Sequence, residues 1–252
     1  MDAAVIGDLV APARRSDDLA YRVVGDRARS HSYDSVCATA WKTANLLRLY
    51  GVHDGSIVGV VDAPKHPDYE PGTPPSRTED TPIPEVIFAL LGAALLGATV
   101  RFDPPRDLEA DALVGPAAWM DDYEPGPAST SIAYGGPPEN PSIVHFETEV
   151  WSETPIAPPE TVSPDTPLLI TDDRQFDHRT LVEAAEAFLD QASLTAADSV
   201  AIDSTLSEPG TVVGGVLAPL LAGGTMLVGT DDETVRIGAD GIDPRSISIG
   251  NS

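Results

Sequence analysis

The residues best suited to ligand chemistry follow Pro167–Thr171, an apolar segment typical of a buried strand. Thr171, Arg174 and His178 offer a hydroxyl, a guanidinium and an imidazole within eight positions of the sequence. Hydroxyl and cationic side chains between a strand and a helix can bind anions, because backbone N–H groups and the helix N-terminus add to them. We therefore take these three as the candidate ligand-binding residues.

The same stretch also contains features that oppose phosphate binding. Asp172, Asp173 and Asp177 lie among the candidate residues, and no glycine does. Carboxylates repel a polyphosphate, and without glycine few backbone N–H groups can approach one. Such a carboxylate group could instead hold Mg²⁺, which prefers oxygen ligands. The composition favours a third interpretation, a tight turn from strand to helix.

No other group of residues predicts a catalytic or metal site. Of the five histidines, no two are spaced i, i+4 on a predicted helix, and the single cysteine, Cys37, is predicted to lie in the core. His145, Glu147 and Glu149 alternate along a strand-like segment, which is typical of a solvated strand face or, alternatively, a cation site. Neither G-x-S-x-G nor G-x-G-x-x-G occurs. We expect no catalytic residue and no metal ligand.

The composition restricts the possible partners. The 252 residues carry a formal charge of −25, with 40 acidic and 15 basic residues, and Lys42 and Lys65 are the only lysines. This balance is typical of a salt-adapted protein and disfavours nucleic-acid and anionic-membrane partners. A lone cysteine fits a reducing compartment, and the N-terminus lacks a signal-peptide pattern. We predict a cytoplasmic protein.

Two helix–glycine–strand patterns predict an α/β fold with parallel sheets flanked by helices. Pro84–Phe102 reads as a buried helix that ends at Gly97 and leads into a strand, and Val212–Val228 repeats the pattern. A hairpin at Leu19–Ser32, with its turn at 25–27, precedes a helix at Tyr33–Tyr50. Asp177 is a predicted N-cap for a helix at His178–Gln191. The other predicted elements are a helix at Asp2–Val10, a helical turn at Leu108–Ala110, and strands at Ser56–Val61, Ala112–Val114, Ser131–Tyr134, Ser142–Phe146 and Ser199–Ile202.

Proline-rich and acidic stretches predict the domain organisation. We expect a first lobe at 1–152 and a second lobe at 167–230, joined by a linker at 153–166. A proline-rich insertion at 63–82 and an acidic tail at 231–252 complete the chain.

Three segments resemble adenylate-forming enzymes, the AMP-dependent synthetase/ligase family that includes the acyl-CoA synthetases. In Ser32–Val58, a tyrosine opens a helix with an Ala-Asn pair, and Gly-Val, a glycine turn and a strand follow. Pro84–Pro104 resembles the family's next helix and strand, and Val213–Thr225 its later glycine-rich helix. The resemblance implies the N-terminal part of the acyl-CoA synthetase large domain.

The sequence departs from this family where the chemistry would lie. The family's Ser/Thr/Gly-rich phosphate loop, which ends in lysine, is represented only by Thr171. A histidine often found before the glycine-rich helix is replaced by the segment Ser204–Pro209. The remaining large-domain motifs and the small C-terminal domain with the adenylation lysine have no counterpart. These departures imply a truncated, degenerate relative that binds ATP with Mg²⁺, or CoA, only if family activity is retained.

Three functions remain open for such a relative. The first is a non-catalytic binding or interaction protein, whose partner is a full-length homologue or a second copy of the chain. The second is one part of a split ligase that is active only with a partner chain. The third is a structural protein without a ligand.

Overall fold

The computed structural model describes residues 3–24, 29–62, 83–228, 233–238 and 241–250. Within these ranges the chain forms two compact units. The first contains the described residues of 3–37 and 176–250, and the second those of 38–62 and 83–175. The units interleave along the chain, whereas the predicted lobes, 1–152 and 167–230, are consecutive stretches.

The first unit contains a five-stranded sheet with the order β12-β10-β11-β1-β2. All of its pairings are parallel except β1–β2, which is the predicted antiparallel hairpin. The hairpin turn predicted at 25–27 lies outside the described residues. The strands are β1 (Leu19–Val23), β2 (Arg29–Ser32), β10 (Ser199–Asp203), β11 (Thr225–Val228) and β12 (Val235–Gly238).

The helices of the first unit are α4 (His178–Ala192), α5 (Pro209–Thr211) and α6 (Ala218–Ala222). The backbone N–H of Thr180 donates to the Asp177 carboxylate (2.7 Å), the predicted N-cap of α4. A π-helical segment, Val212–Leu217, joins α5 to α6, so the predicted helix is present but not regular.

The second unit contains a seven-stranded sheet with the order β7-β6-β5-β3-β4-β8-β9. The five pairings β3–β4, β3–β5, β4–β8, β5–β6 and β6–β7 are parallel, as predicted for the fold class. The strands are β3 (Ile57–Val60), β4 (Thr99–Phe102), β5 (Ala112–Pro116), β6 (Thr130–Tyr134), β7 (Val144–His145), β8 (Pro167–Ile170) and β9 (Gln175–Asp177), whose last two residues are grouped with the first unit.

Helix α2 (Ile83–Leu96) forms the core of the second unit, and α1 (Tyr33–Leu49) packs against it. Residues 84–94 of α2 are all buried, as expected for a helix that is apolar on every side. A Cβ at Gly92 would lie 3.1 Å from the backbone nitrogen of Ala44, so the two helices approach closely there. Gly97 has φ +71 and ends α2 as predicted.

Several predicted elements differ in the structure. Leu108–Ala110 is irregular rather than helical. The predicted strand Ser142–Phe146 is reduced to Val144–His145, because helix α3 (Phe146–Ser152) follows directly. The buried residues of α3, Phe146 and Val150, are four positions apart, as on one side of a helix. Burial of these two residues outweighs the strand-like alternation of the charged residues around them.

Differences also occur near the ends of the sequence. The predicted N-terminal helix is a 3₁₀ helix, Ile6–Val10, and a second one, Pro12–Arg14, follows it. The predicted acidic tail includes β12 and a 3₁₀ turn at Pro244–Ser246. The predicted insertion at 63–82 lies outside the described residues.

Candidate ligand site

The segment after β8 is a closed turn made by Thr171–Arg174. The Thr171 N–H donates to the Arg174 carbonyl oxygen (2.8 Å), and the Arg174 N–H donates to Thr171 Oγ1 (3.1 Å). The Thr171 hydroxyl in turn donates to Asp173 Oδ1 (3.0 Å). The N–H groups of Thr171 and Arg174 and the Thr171 hydroxyl are therefore engaged within the turn itself.

Arg101 on β4 compensates the negative charge of this turn. Its Nη2 donates to the Asp172 carboxylate, and its Nη1 lies 3.5 Å from the carbonyl oxygen of Thr171. The Arg101 side chain is only 18% exposed, whereas that of Asp172 is 92% exposed. The mostly buried guanidinium thus pairs with an exposed carboxylate. The sequence analysis did not identify Arg101 as part of this site. The available signal was that Arg101 is the one charged residue of the mostly buried strand β4.

His178 lies in the first unit, whereas Thr171 and Arg174 share the turn in the second. The His178 side chain is fully buried, and its Nδ1 accepts a hydrogen bond from the Ile6 N–H (3.1 Å). Its Nε2 has no hydrogen-bond partner among the described residues. Burial lowers the pKa of His178 to about 4, against the opposing effects of Asp177 and Asp8. The imidazole is therefore neutral at neutral pH and holds the N-terminal 3₁₀ helix.

The three aspartates that could have held Mg²⁺ have different partners. Asp172 pairs with Arg101, Asp173 accepts from the Thr171 hydroxyl, and Asp177 caps α4. Across the part of the chain that the structure describes, no group of three or more His, Cys, Asp or Glu side chains is arranged to hold a metal ion. These carboxylates therefore stabilise the local structure.

Two further carboxylates lie where strands β3 and β4 end, the edge at which open α/β sheets bind ligands. Asp103 has φ +44, an uncommon conformation for a residue other than glycine, and its Oδ1 accepts from the Asp62 N–H (2.8 Å). Asp62 is 2% exposed. Sequence reasoning did not single out either residue, because an aspartate after a strand also occurs in ordinary turns.

Cys37 is fully buried, as predicted. Burial raises the pKa of its thiol to about 11, so the thiolate is absent at neutral pH. Cys37 is therefore part of the core and not a nucleophile.

A surface groove of about 580 Å³ lies in the second unit beside the last turns of α1. One wall is formed by Asn45, Arg48 and Leu49, and the other by the irregular segment that follows α3. Asn45 Nδ2 donates to the Ile156 carbonyl oxygen (2.9 Å), and Arg48 Nη1 lies 3.5 Å from Glu160 Oε1. This groove was not predicted, because it depends on contacts between residues more than 100 positions apart.

Comparison with known proteins gives a result at the level of structure only. No family model matches the sequence, and no curated protein matches it either. Solved structures do match. The chain has the fold of part of the adenylate-forming ligases. It superposes on the anthranilate CoA ligase AuaEII, solved in complex with anthranoyl-AMP, with a TM-score of 0.69 and 14% identity.

Two other structures with this fold extend the comparison. The N-terminal domain of FACL13 from Mycobacterium tuberculosis has a TM-score of 0.68 and 16% identity, and 91% of this chain covers 57% of it. The nonribosomal peptide synthetase FmoA3 has a TM-score of 0.66 and 20% identity. In that comparison, 89% of this chain covers 22% of FmoA3.

Each match includes most of this chain but a smaller share of the other protein. For AuaEII, 88% of this chain covers 44% of the ligase. The chain therefore spans less than half the length of that enzyme, and such identities establish the fold alone. None of the described helices has the length and hydropathy that a bilayer-spanning segment requires.

Proposed function

We propose that this chain is a non-catalytic protein with the adenylate-forming ligase fold, which acts by binding or by protein interaction. The observation that carries the proposal is the turn Thr171–Arg174, whose N–H groups at Thr171 and Arg174 are hydrogen-bonded within the turn. A phosphate site needs such groups free and directed at the ligand.

Charge supports the same proposal. Asp172 and Asp173 lie in the turn, and the nearest strand cation, Arg101, is already paired with Asp172. A nucleotide triphosphate at the turn would meet two carboxylates, and to recruit Arg101 it would have to displace the exposed Asp172 carboxylate from the guanidinium. We therefore infer that the turn does not bind ATP with Mg²⁺.

Isothermal titration of the full chain with ATP–Mg²⁺, and separately with CoA, tests this proposal. We expect no saturable heat with ATP in the micromolar range. The control is the Arg174→Ala variant, which removes the cation of the turn. Micromolar ATP binding that is lost in this variant would place a working phosphate site at the turn and refute the proposal.

The alternative is a split ligase in which a partner chain supplies the remaining catalytic groups. This alternative is motivated by the fold that the chain shares with AuaEII, 44% of which the match covers. Pyrophosphate release, with ATP and a carboxylic acid panel, would be measured before and after a candidate partner is added. Release only with both chains would support the split ligase over the non-catalytic protein.

A further inference from the structure

An apolar surface in the second unit, here called the Trp151 face, consists of Leu49, Trp151 and Ile156 flanked by Lys42 and Arg48. Among the described residues, four large hydrophobic side chains are exposed, and three of them belong to this face. Their exposed fractions are 66% for Leu49, 85% for Trp151 and 64% for Ile156. Contiguous exposed apolar surface of this kind marks interaction sites.

Hydrogen bonds join α1 to the segment that carries Trp151 and Ile156. Lys42 Nζ donates to the Trp151 carbonyl oxygen (3.1 Å) and lies 5.9 Å from the centre of its ring. One turn further along α1, Asn45 binds the Ile156 carbonyl oxygen, and Leu49 and Ile156 both line the groove. The backbone at Trp151 and Ile156 is thus fixed against α1, so less chain has to be ordered on binding.

The Trp151 face is formally neutral in a chain whose charge is −25. Lys42 and Arg48 contribute two positive charges, and Glu153 and Glu160, which lie on the opposite wall of the groove or pair with Arg48, contribute two negative charges. A strongly basic partner would prefer the acidic remainder of the chain. A neutral face that presents apolar groups and both charge signs is instead complementary to itself, as a two-fold contact requires.

We propose that the Trp151 face is the contact surface for a second copy of this chain. The face contains a tryptophan and an arginine, two residue types that are enriched in protein interfaces. This inference names a partner for the interaction role proposed above. It is tested separately, because nucleotide titration measures the turn Thr171–Arg174 and self-association measures this face.

Salt dependence distinguishes this contact from one held by charge pairs. Two chains of charge −25 repel each other at low ionic strength, and salt screens this repulsion. The Debye length falls from about 10 Å at about 0.1 M to about 3 Å at about 1 M salt. The apolar contact itself is not weakened, so we expect dimerisation to strengthen as salt rises.

Sedimentation velocity of the full chain at low and high salt tests the proposal. We expect a dimer at high salt, and Leu49→Glu should raise its dissociation constant at least tenfold. The matched control is Leu19→Glu, which changes the exposed leucine of the first unit and should leave the dimer intact. Circular dichroism verifies that each variant is folded.

A second measurement keeps the test decisive if Leu49→Glu does not fold. The Trp151→Gln change removes a mostly exposed side chain. The difference in acrylamide quenching between the wild-type chain and this variant reports Trp151, because Trp41 and Trp119 are present in both. We expect dimerisation to protect Trp151 from the quencher. A monomer at all salt concentrations, a dimer insensitive to both variants, or occupation of the face by a different protein while the chain stays monomeric would overturn the proposal.

Discussion

Helix α2 reaches Gly97 as one regular α-helix, whereas the corresponding helix of the first unit passes through the π-helical segment Val212–Leu217 before it ends at Gly223. Both helices then lead into a buried parallel strand. The difference lies in what surrounds their internal glycines. Gly92 allows a close approach of two backbones, whereas Gly214 makes room for the ends of two isoleucine side chains.

This contrast shows that one sequence pattern can be stabilised in two ways. Around Gly92 the neighbouring atoms include backbone atoms of Thr43 and Ala44, which cannot rotate away. Around Gly214 they are Ile247 Cδ1 and Ile237 Cδ1, which can. We therefore expect the helix of the first unit to tolerate a side chain at Gly214 better than α2 tolerates one at Gly92. The first unit also depends on a buried histidine that has no equivalent among the described residues of the second.

The largest expected effect is a selective loss of stability of the first unit in acid. The pKa of His178 is lowered to about 4 in the folded chain, against 6.5 when unfolded, chiefly by burial. Between these values the unfolded state binds a proton that the folded state does not, so stability falls as pH drops from 6.5 to about 4. The loss approaches about 3 kcal/mol. Hydrogen exchange should show it in α4 and α6 but not in α2.

The control for this effect is His178→Asn, which keeps an acceptor near the Ile6 N–H and cannot be protonated. We expect this variant to lose most of the pH dependence over the same range. Equal acid sensitivity in the variant would assign the loss to carboxylates instead of the imidazole.

Substitution of the two internal glycines is the next largest effect. In Gly92→Ala the new methyl would lie 2.9 Å from Thr43 Cγ2 and 3.1 Å from the Ala44 nitrogen, so we expect a cost of about 2 kcal/mol after the gain in helix propensity. In Gly214→Ala the nearest atom, at 2.8 Å, is the movable end of Ile247. We expect that change to cost less than about 1 kcal/mol.

Denaturant unfolding of both alanine variants measures this difference. The wild-type chain and an alanine change at Gly126, whose nearest neighbour atom is 4.0 Å away, serve as references. Equal costs at Gly92 and Gly214 would contradict the distinction between backbone and side-chain contacts.

The smallest effect is expected at the two helix ends. Gly97 (φ +71) and Gly223 (φ +79) both have left-handed backbones, so alanine costs about 1 kcal/mol at either position. A Cβ at Gly97 would also lie 2.9 Å from Asp54 Oδ1, whereas at Gly223 the nearest atom is 3.5 Å away. Gly97→Ala should therefore lower the thermal midpoint more than Gly223→Ala. The reverse order would show that the left-handed conformation alone sets the cost.

Local sequence signals were sufficient for most of the fold. The all-apolar face of α2, the stop at Gly97 and the cap at Asp177 each depend on residues within one helical turn, and each prediction is confirmed. Helix α3 was missed because Phe146 and Val150 offer only two buried positions among charged residues. The π-helical segment was missed because its geometry depends on packing against α4 and β10.

The candidate site was harder to predict because its partners are distant in sequence. Thr171 and Arg174 lie together at one strand end, but Arg101 comes from β4, and the hydrogen bond from Ile6 to His178 spans 172 residues. Ligand binding by Thr171, Arg174 or His178 stays a prediction. The groove beside α1 likewise depends on the contact between Asn45 and Ile156, which no local sequence pattern predicts.

The single thiol of the chain, Cys37, can report how often the surrounding core opens. Cys37 has no exposed surface, and its high pKa keeps it protonated in the native protein. A thiol-specific reagent should thus modify the chain only at moments when the core around Cys37 is open, at a rate set by that opening. The labelling rate would report these rare excursions without an engineered probe.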